Sequence, residues 1–303
     1  MTAVLVGRFT PGSEEWRDAR RLRIGGSEIA SVVGLAPPTW DSRFSLWHRK
    51  QGLVGPKPQN EEMEWGSRLE PAVLQKFFEQ PGRRRLDEGG SYVHPDRPWQ
   101  LATPDAFLDT GSESELVEAK TSPQDGPEWG IPGTDQVPVH IRCQVLWQLD
   151  VLDLQVCHIP VLIGGCRYRE YVIRIDDAAR SEIKHLRREG ETFIASIEAN
   201  ERPPIDGHDQ TYQVLRESHP LIDVGVEHEL DEELALAYLE TKDALHAAEQ
   251  AHKTRRSQVF DILGTANYGI YRDTRIVRRQ ANGDGLPFLA STRKDPRPKE
   301  ETE

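Results

Sequence analysis

The sequence predicts an α/β fold: a central mixed β-sheet flanked by α-helices, with a C-terminal extension of one long helix and a short strand pair. Two pairs of strand-like runs predict the sheet, residues 101–108 with 115–121 and residues 156–163 with 168–175. Apolar residues recurring every three or four positions predict the helices around them. A polar, Pro- and Gly-containing stretch at 203–225 reads as a linker, which divides the chain into a core, 1–205, and an extension, 206–303.

Residues 16–22 read as a short helix, broken by Gly25 and Gly26. Ser27 is placed to cap a second helix through Val33, with Gly34 as its stop. A third helical piece covers 42–51, and 52–59 is a loop. Asn60 starts a longer helix to about 79. Its stripe of Met63, Gly66, Glu70, Val73 and Phe77 sets Glu70 in an inward-facing row, with Pro71 removing one helical hydrogen bond beside it. Residues 81–99 form a polar crossing. Asp109-Thr110-Gly111-Ser112 turns the first strand pair and Gly164-Gly165 the second. Between the pairs lie a loop at 122–133 and a helix at 138–152, whose first turn tolerates Pro138. Asp176 or Asp177 opens a helix to about 199 that points Ile183, Leu186, Phe193 and Ile197 inward. In the extension, 230–263 is a long amphipathic helix bearing Leu234, Leu239, Leu245, Ala248 and Val259. It reads equally as an assembly element or as a helix packed on its own core. Residues 268–279 form a strand pair, and the polar composition after Gln280 predicts disorder.

A chain of 303 residues suffices for a sizeable core, and 37% hydrophobic with 29% charged residues is the balance of a soluble globular protein. No run approaches the length of a membrane span, and the first ten residues lack the basic start and apolar stretch of a signal peptide, so the expected location is the cytoplasm. Three cysteines, Cys143, Cys157 and Cys166, with no C-x-x-C spacing, argue against a disulfide framework and against a zinc cluster. The net charge of −12 argues against a protein that coats DNA. It is compatible with an enzyme whose centre gathers carboxylates and whose basic residues only line a substrate path. Arg17, Arg20, Arg21 and Arg23 form one such basic stretch.

The candidate chemistry centres on Glu118-Ala119-Lys120. Side chains alternate along a strand, so Glu118 and Lys120 share one face while Val117 and Ala119 take the other. The preceding strand can bring Asp105 to the same face. Two close carboxylates call for a cation, and oxygen ligands suit magnesium or manganese. Such an ion offsets charge building on a phosphodiester, beside which Lys120 adds a positive charge. Glu70, an acid within an inward helical row, needs a partner of this kind. An isolated E-x-K occurs often by chance, and its ordinary meaning is a surface ion pair. Thr103-Pro104-Asp105, ending thirteen residues before Glu118, and Glu70 in its stripe are what raise it above that. On the residues alone Gln144 reads as the margin of its helix. Gly25-Gly26-Ser27-Glu28, with Arg20 and Arg23 nearby, could hold a phosphate or be an ordinary capped helix. Trp129, in a loop, could stack on a base, whereas the other tryptophans, the cysteines and the histidines read as structural or surface residues.

Five ordered blocks together resemble the YqaJ-type viral recombinase family, which is related to phage lambda exonuclease and belongs to the PD-(D/E)XK nucleases. They are W-R-D-A-R-R-L-R-I-G-G-S-E-I-A-S-V-V-G at 16–34, E-W-G-S-R-L-E-P at 64–71, A-T-P-D at 102–105, V-E-A-K-T-S at 117–122 and Q-V-L-W-Q-L at 144–149. The resemblance spans roughly 14–200. It implies a restriction-endonuclease-like core and Mg2+-dependent digestion of linear double-stranded DNA, 5′ to 3′, with Mn2+ as a substitute. It implies Asp105 and Glu118 as metal ligands, completed by Glu70 as the helical acid, Lys120 as the catalytic lysine, and Gln144 as the glutamine beside them. Arg20 and Ser27 match residues that hold the terminal phosphate. The partners implied are DNA ends, a single-strand annealing protein and further copies of the chain, as in a trimeric ring, for a phage or prophage enzyme acting inside a bacterial host. The extension and Asp41-Ser42-Arg43-Phe44 depart from the family pattern and leave exonuclease or endonuclease action open. A Cas4-like enzyme with an iron–sulfur cluster would need four cysteines, one more than are present. Another nuclease on this core, such as a RecB-like or nicking enzyme, and a non-catalytic DNA-binding module remain alternatives.

Overall fold

The computed structural model describes residues 3–292 and divides into two compact units, Met1–Leu221 and Ile222–Glu303. In the first, strand β1 (Val4–Gly7) precedes helix α1 (Glu14–Arg21), strand β2 (Ile24–Gly25) and helices α2 (Gly26–Val32), α3 (Arg43–Lys50) and α4 (Glu61–Phe78). Strands β3 (Arg84–Glu88), β4 (Ser91–Val93), β5 (Gln100–Ala102), β6 (Ala106–Asp109), β7 (Ser114–Val117) and β8 (Lys120–Ser122) follow. Helix α5 (Val139–Leu152), the hairpin β9 (Val156–Ile163) and β10 (Arg167–Arg174), and helices α6 (Asp177–Glu198) and α7 (Asp209–Ser218) complete the unit.

The main sheet runs β10-β9-β7-β6-β3, with β8 also paired to β9. It is mixed, because β7 and β8 lie parallel to β9 while the other neighbours are antiparallel. Alternation along its strands supplies both faces. Phe107 and Leu116 face a core built around α5, with Val145, Leu146, Trp147 and Leu149. Ala106, Leu108, Val117 and Ala119 face α4 through Val73, Leu74 and Phe77. Helices therefore cover both sides of the sheet, as the expected α/β fold requires. A smaller sheet, β1-β4-β5-β2, lies beside it. Trp147 Nε1 joins the two regions by donating to the carbonyls of Ile24 (3.0 Å) and Leu101 (3.2 Å). Gly190 of α6 admits that indole, since a Cβ there would stand 2.8 Å from Trp147 Cη2.

Several expectations hold at their caps. Asn60 accepts from Met63 N to start α4, Ser42 accepts from Ser45 N to start α3, and Asp176 accepts from Ala179 N to start α6. Others are corrected. Ser27 does not cap α2: Gly25 does, and Glu28 Oε2 takes the Gly25 N–H at 2.7 Å. The single strand expected at 101–108 is two strands in different sheets, because the chain crosses over at Thr103-Pro104-Asp105 and proline has no N–H for a ladder. The crossing at 81–99 contains β3 and β4, and the expected linker at 203–225 contains α7. Thr211 of α7 is buried with its hydroxyl 2.6 Å from that of Ser42. The stripe of α4 buries only from Val73 onward, while Met63 remains exposed.

The second unit holds helix α8 (Glu232–Leu263) and strands β11 (Tyr268–Tyr271), β12 (Thr274–Gln280) and β13 (Phe288–Ser291), paired in that order. No residue of α8 is buried. The disorder expected after Gln280 is corrected at β13, where a short apolar run pairs with β12; the expectation for 293–303 lies outside the described residues. Among the described residues, no helix is long and apolar enough to cross a membrane.

Candidate active site

The strand carrying Glu118 is interrupted. β7 ends at Val117 and β8 begins at Lys120, yet both keep one register on β9, Val117 opposite His158 and Lys120 opposite Val161. Glu118 N still donates to the His158 carbonyl at 2.9 Å. The Ala119 N–H instead donates to Asp105 Oδ2 at 2.8 Å. The β5–β6 crossover thus delivers Asp105 to the gap between β7 and β8, and its carboxylate replaces a backbone acceptor there.

Glu118 is 2% exposed. Its Oε1 accepts from Lys120 Nζ at 2.7 Å and from Gln144 Nε2 of α5. Its Oε2 is buried and, among the described residues, has no hydrogen-bond partner. Glu118 and Lys120 share a face, while Val117 and Ala119 pack toward α4, as strand alternation predicts. Burial holds the Asp105 carboxyl well above the usual carboxylate range, and the Glu118 charge adds to it, against the pull of Lys120. Burial also raises Glu70, and again Glu118 contributes. Lys120 is raised: burial works against its charge, but Glu118 and Asp105 outweigh it. The ammonium is therefore secured while three carboxylates crowd one field.

That pattern fits a divalent cation. A buried carboxylate oxygen without a partner costs free energy that a hard cation would recover, and like charges in one field call for a neutralising ion. Among the described residues, however, no three His, Cys, Asp or Glu side chains are gathered closely enough to enclose an ion. Asp105, Glu118 and Glu70 form a charge cluster rather than a finished cage.

Arg20 and Ser27 are also brought together. Arg20 Nη2 donates to Ser27 Oγ at 3.3 Å, pairs with Glu28 Oε2 at 3.3 Å, and its guanidinium lies 4.6 Å from the Trp16 ring centroid. Glu28 is further held by Lys50 Nζ at 2.8 Å, and Lys50 also donates to the carbonyls of Arg20 and Arg23. The corner is tied to the centre through Gly26, where a Cβ would lie 3.2 Å from the Gln144 carbonyl and 3.1 Å from Gln148 Cγ.

Two residues beside the candidate site were not singled out by the sequence pattern. His140 lies on α5 one turn before Gln144, and burial together with the Lys120 charge holds it below the usual imidazole range. Its i, i+4 spacing to Gln144 is the signal that could have marked it. Lys50 gave no such signal, because its partner Glu28 lies 22 residues away. Trp129 is corrected: it is buried against Tyr171, with Nε1 donating to Ser122 Oγ, and no face is open to a base.

Residues 15–155 match the YqaJ-like viral recombinase domain family. That segment of the chain is similar to a YqaJ-like viral recombinase domain. It is 27% identical over 276 residues to the uncharacterized protein YqaJ of Bacillus subtilis (strain 168), covering 88% of this chain and 83% of that protein. An alkaline exonuclease, LHK-Exo, from Laribacter hongkongensis is 22% identical, covering 69% of this chain and 100% of that chain with a TM-score of 0.47. A phage-related exonuclease from Haemophilus somnus 129PT is 10% identical, covering 59% and 96% with a TM-score of 0.45. Arg20, Ser27, Glu70, Asp105, Glu118, Lys120 and Gln144 all lie within the matched segment.

Proposed function

We propose that this YqaJ-like chain is a divalent-metal-dependent deoxyribonuclease that degrades linear double-stranded DNA from its ends, 5′ to 3′. The observation that carries the reading is Glu118, buried with one oxygen fixed by Lys120 and Gln144 and the other unpartnered among the described residues, in one electrostatic field with Asp105 and Glu70. Asp105, Glu118 and Glu70 would hold Mg2+ or Mn2+, which supplies Lewis acidity toward the scissile phosphodiester. Lys120 keeps its proton and stabilises negative charge as it gathers on the phosphate oxygens. Gln144 fixes the rotamer of Glu118. Arg20 and Ser27 bind the terminal phosphate of the strand, and Lys50 positions them by holding Glu28. The similarity of residues 15–155 to the YqaJ-like viral recombinase domain supports this assignment. Exonuclease action and the 5′ start are the finer part of the proposal.

The test is digestion of linear duplex labelled at either end, alongside a covalently closed circle, with magnesium and with chelator. Release of the 5′ label first, with the circle intact and no release in chelator, is the expected result. Equal degradation by the wild type and Lys120→Ala would refute it.

A further inference from the structure

The second unit is charged in two halves. Residues 222–249 carry nine acidic side chains and one basic; residues 250–292 carry seven basic and three acidic. In a chain of net charge −12, that reversal concentrates positive charge on the end of α8 and on the β11-β12-β13 sheet. Among the described residues, the arginines of this sheet and its turn are engaged with rings and amides rather than carboxylates. Arg275 lies over Tyr268 (4.1 Å to the centroid), Arg272 over Tyr271 (5.2 Å) and Arg279 over Phe260 (4.6 Å), while Arg278 bonds the Gln280 side chain. Within that set, no acidic partner cancels their charges.

The sheet also has two distinct faces. Gly269 lies against α8, where a Cβ would meet Val277 Cγ2 at 2.7 Å and Leu263 Cδ2 at 3.5 Å. Alternation puts Tyr268 and its cross-strand partner Arg278 on the opposite face. Tyr268 and Tyr271 are both exposed. Guanidiniums suit phosphate oxygens in a paired, planar geometry, and exposed rings beside them suit a nucleic-acid strand.

We infer that the outer face of the β11-β12-β13 sheet is a second contact for DNA, with Arg275 and Arg278 on the phosphate backbone beside Tyr268. The inference rests on the reading of the chain as an enzyme of DNA. It adds a sequence-independent grip outside the candidate centre. The acidic half of a second copy is the competing occupant, but it offers no regular row of phosphates.

The experiment is fluorescence anisotropy of a labelled linear duplex and a single strand with the full chain in chelator, over a range of salt. Wild type, Arg275→Gln/Arg278→Gln and Arg275→Lys/Arg278→Lys are compared. The glutamine variant should bind several-fold more weakly, and its slope of log affinity against log salt should shrink by about two, one for each phosphate no longer neutralised. The lysine variant should restore the slope, which a folding defect would not allow. A glutamine variant with unchanged affinity and slope overturns the inference while leaving the proposed function standing. So does one that changes mass by light scattering but not DNA affinity, since the face would then serve a second copy. A wild type that binds no DNA overturns both.

Discussion

At Glu118 the two carboxylate oxygens differ: one is held by an ammonium and an amide, and the other is sealed from water without a donor among the described residues. Such an oxygen is poor for stability, and its arrangement makes sense as a group kept ready for charge. Asp105→Asn should therefore raise the melting temperature of the chain in metal-free buffer, by easing repulsion with Glu118 and Glu70, while abolishing cleavage; differential scanning fluorimetry and end-label release check the two halves. Lys120→Ala should lower the cleavage rate by about 10²–10³-fold, the usual loss for one electrostatic stabiliser, in single-turnover digestion. Glu28 makes a prediction about pH. Burial alone would raise its carboxyl, but the charges of Arg20 and Lys50 outweigh burial and hold it below the usual range. A depressed carboxylate stabilises the fold fully above its unfolded value and loses that contribution as pH falls through the folded one. Wild type should then exceed Glu28→Gln by about 3 kcal/mol at neutral pH, a gap that closes below the ordinary carboxylate range in urea unfolding.

At the scale of elements, the long periodic segments were legible and the short ones were not. α4, α5, α6 and the β9–β10 hairpin follow from stripes, caps and the Gly164-Gly165 turn, which takes positive φ at both glycines. β2, β4 and β5 are two or three residues long, too short to show a period, and tertiary pairing defines them. The candidate site was legible in residue type and in the shared face of Glu118 and Lys120. The break after Val117 was not, because it depends on a side chain 14 positions upstream taking the Ala119 N–H. The contact of α2 with α5 was equally hidden, since it rests on Gly26 having no side chain. Gly26→Val should cost about 1–3 kcal/mol by overpacking and displace Gln144, lowering cleavage beyond what the stability loss explains. Urea midpoints and rates measured on the same preparation separate the two.

For the whole molecule, both buried clusters lie inside the first unit, so a chain ending at Leu221 should fold alone with one cooperative transition by circular dichroism. Its intact candidate centre should still cleave, but with weaker hold on DNA at moderate salt. The thiols of that unit are unequal. Cys143 and Cys157 are buried, and burial pushes Cys143 up to about 11 and Cys157 well above the usual thiol range. Cys166 is exposed at the tip of the β9–β10 hairpin. A maleimide dye offered to the native protein should thus attach once, at Cys166, and two more equivalents should react only as the chain unfolds. The molecule comes with its own unique labelling handle, through which its passage along a tethered DNA could be watched one copy at a time.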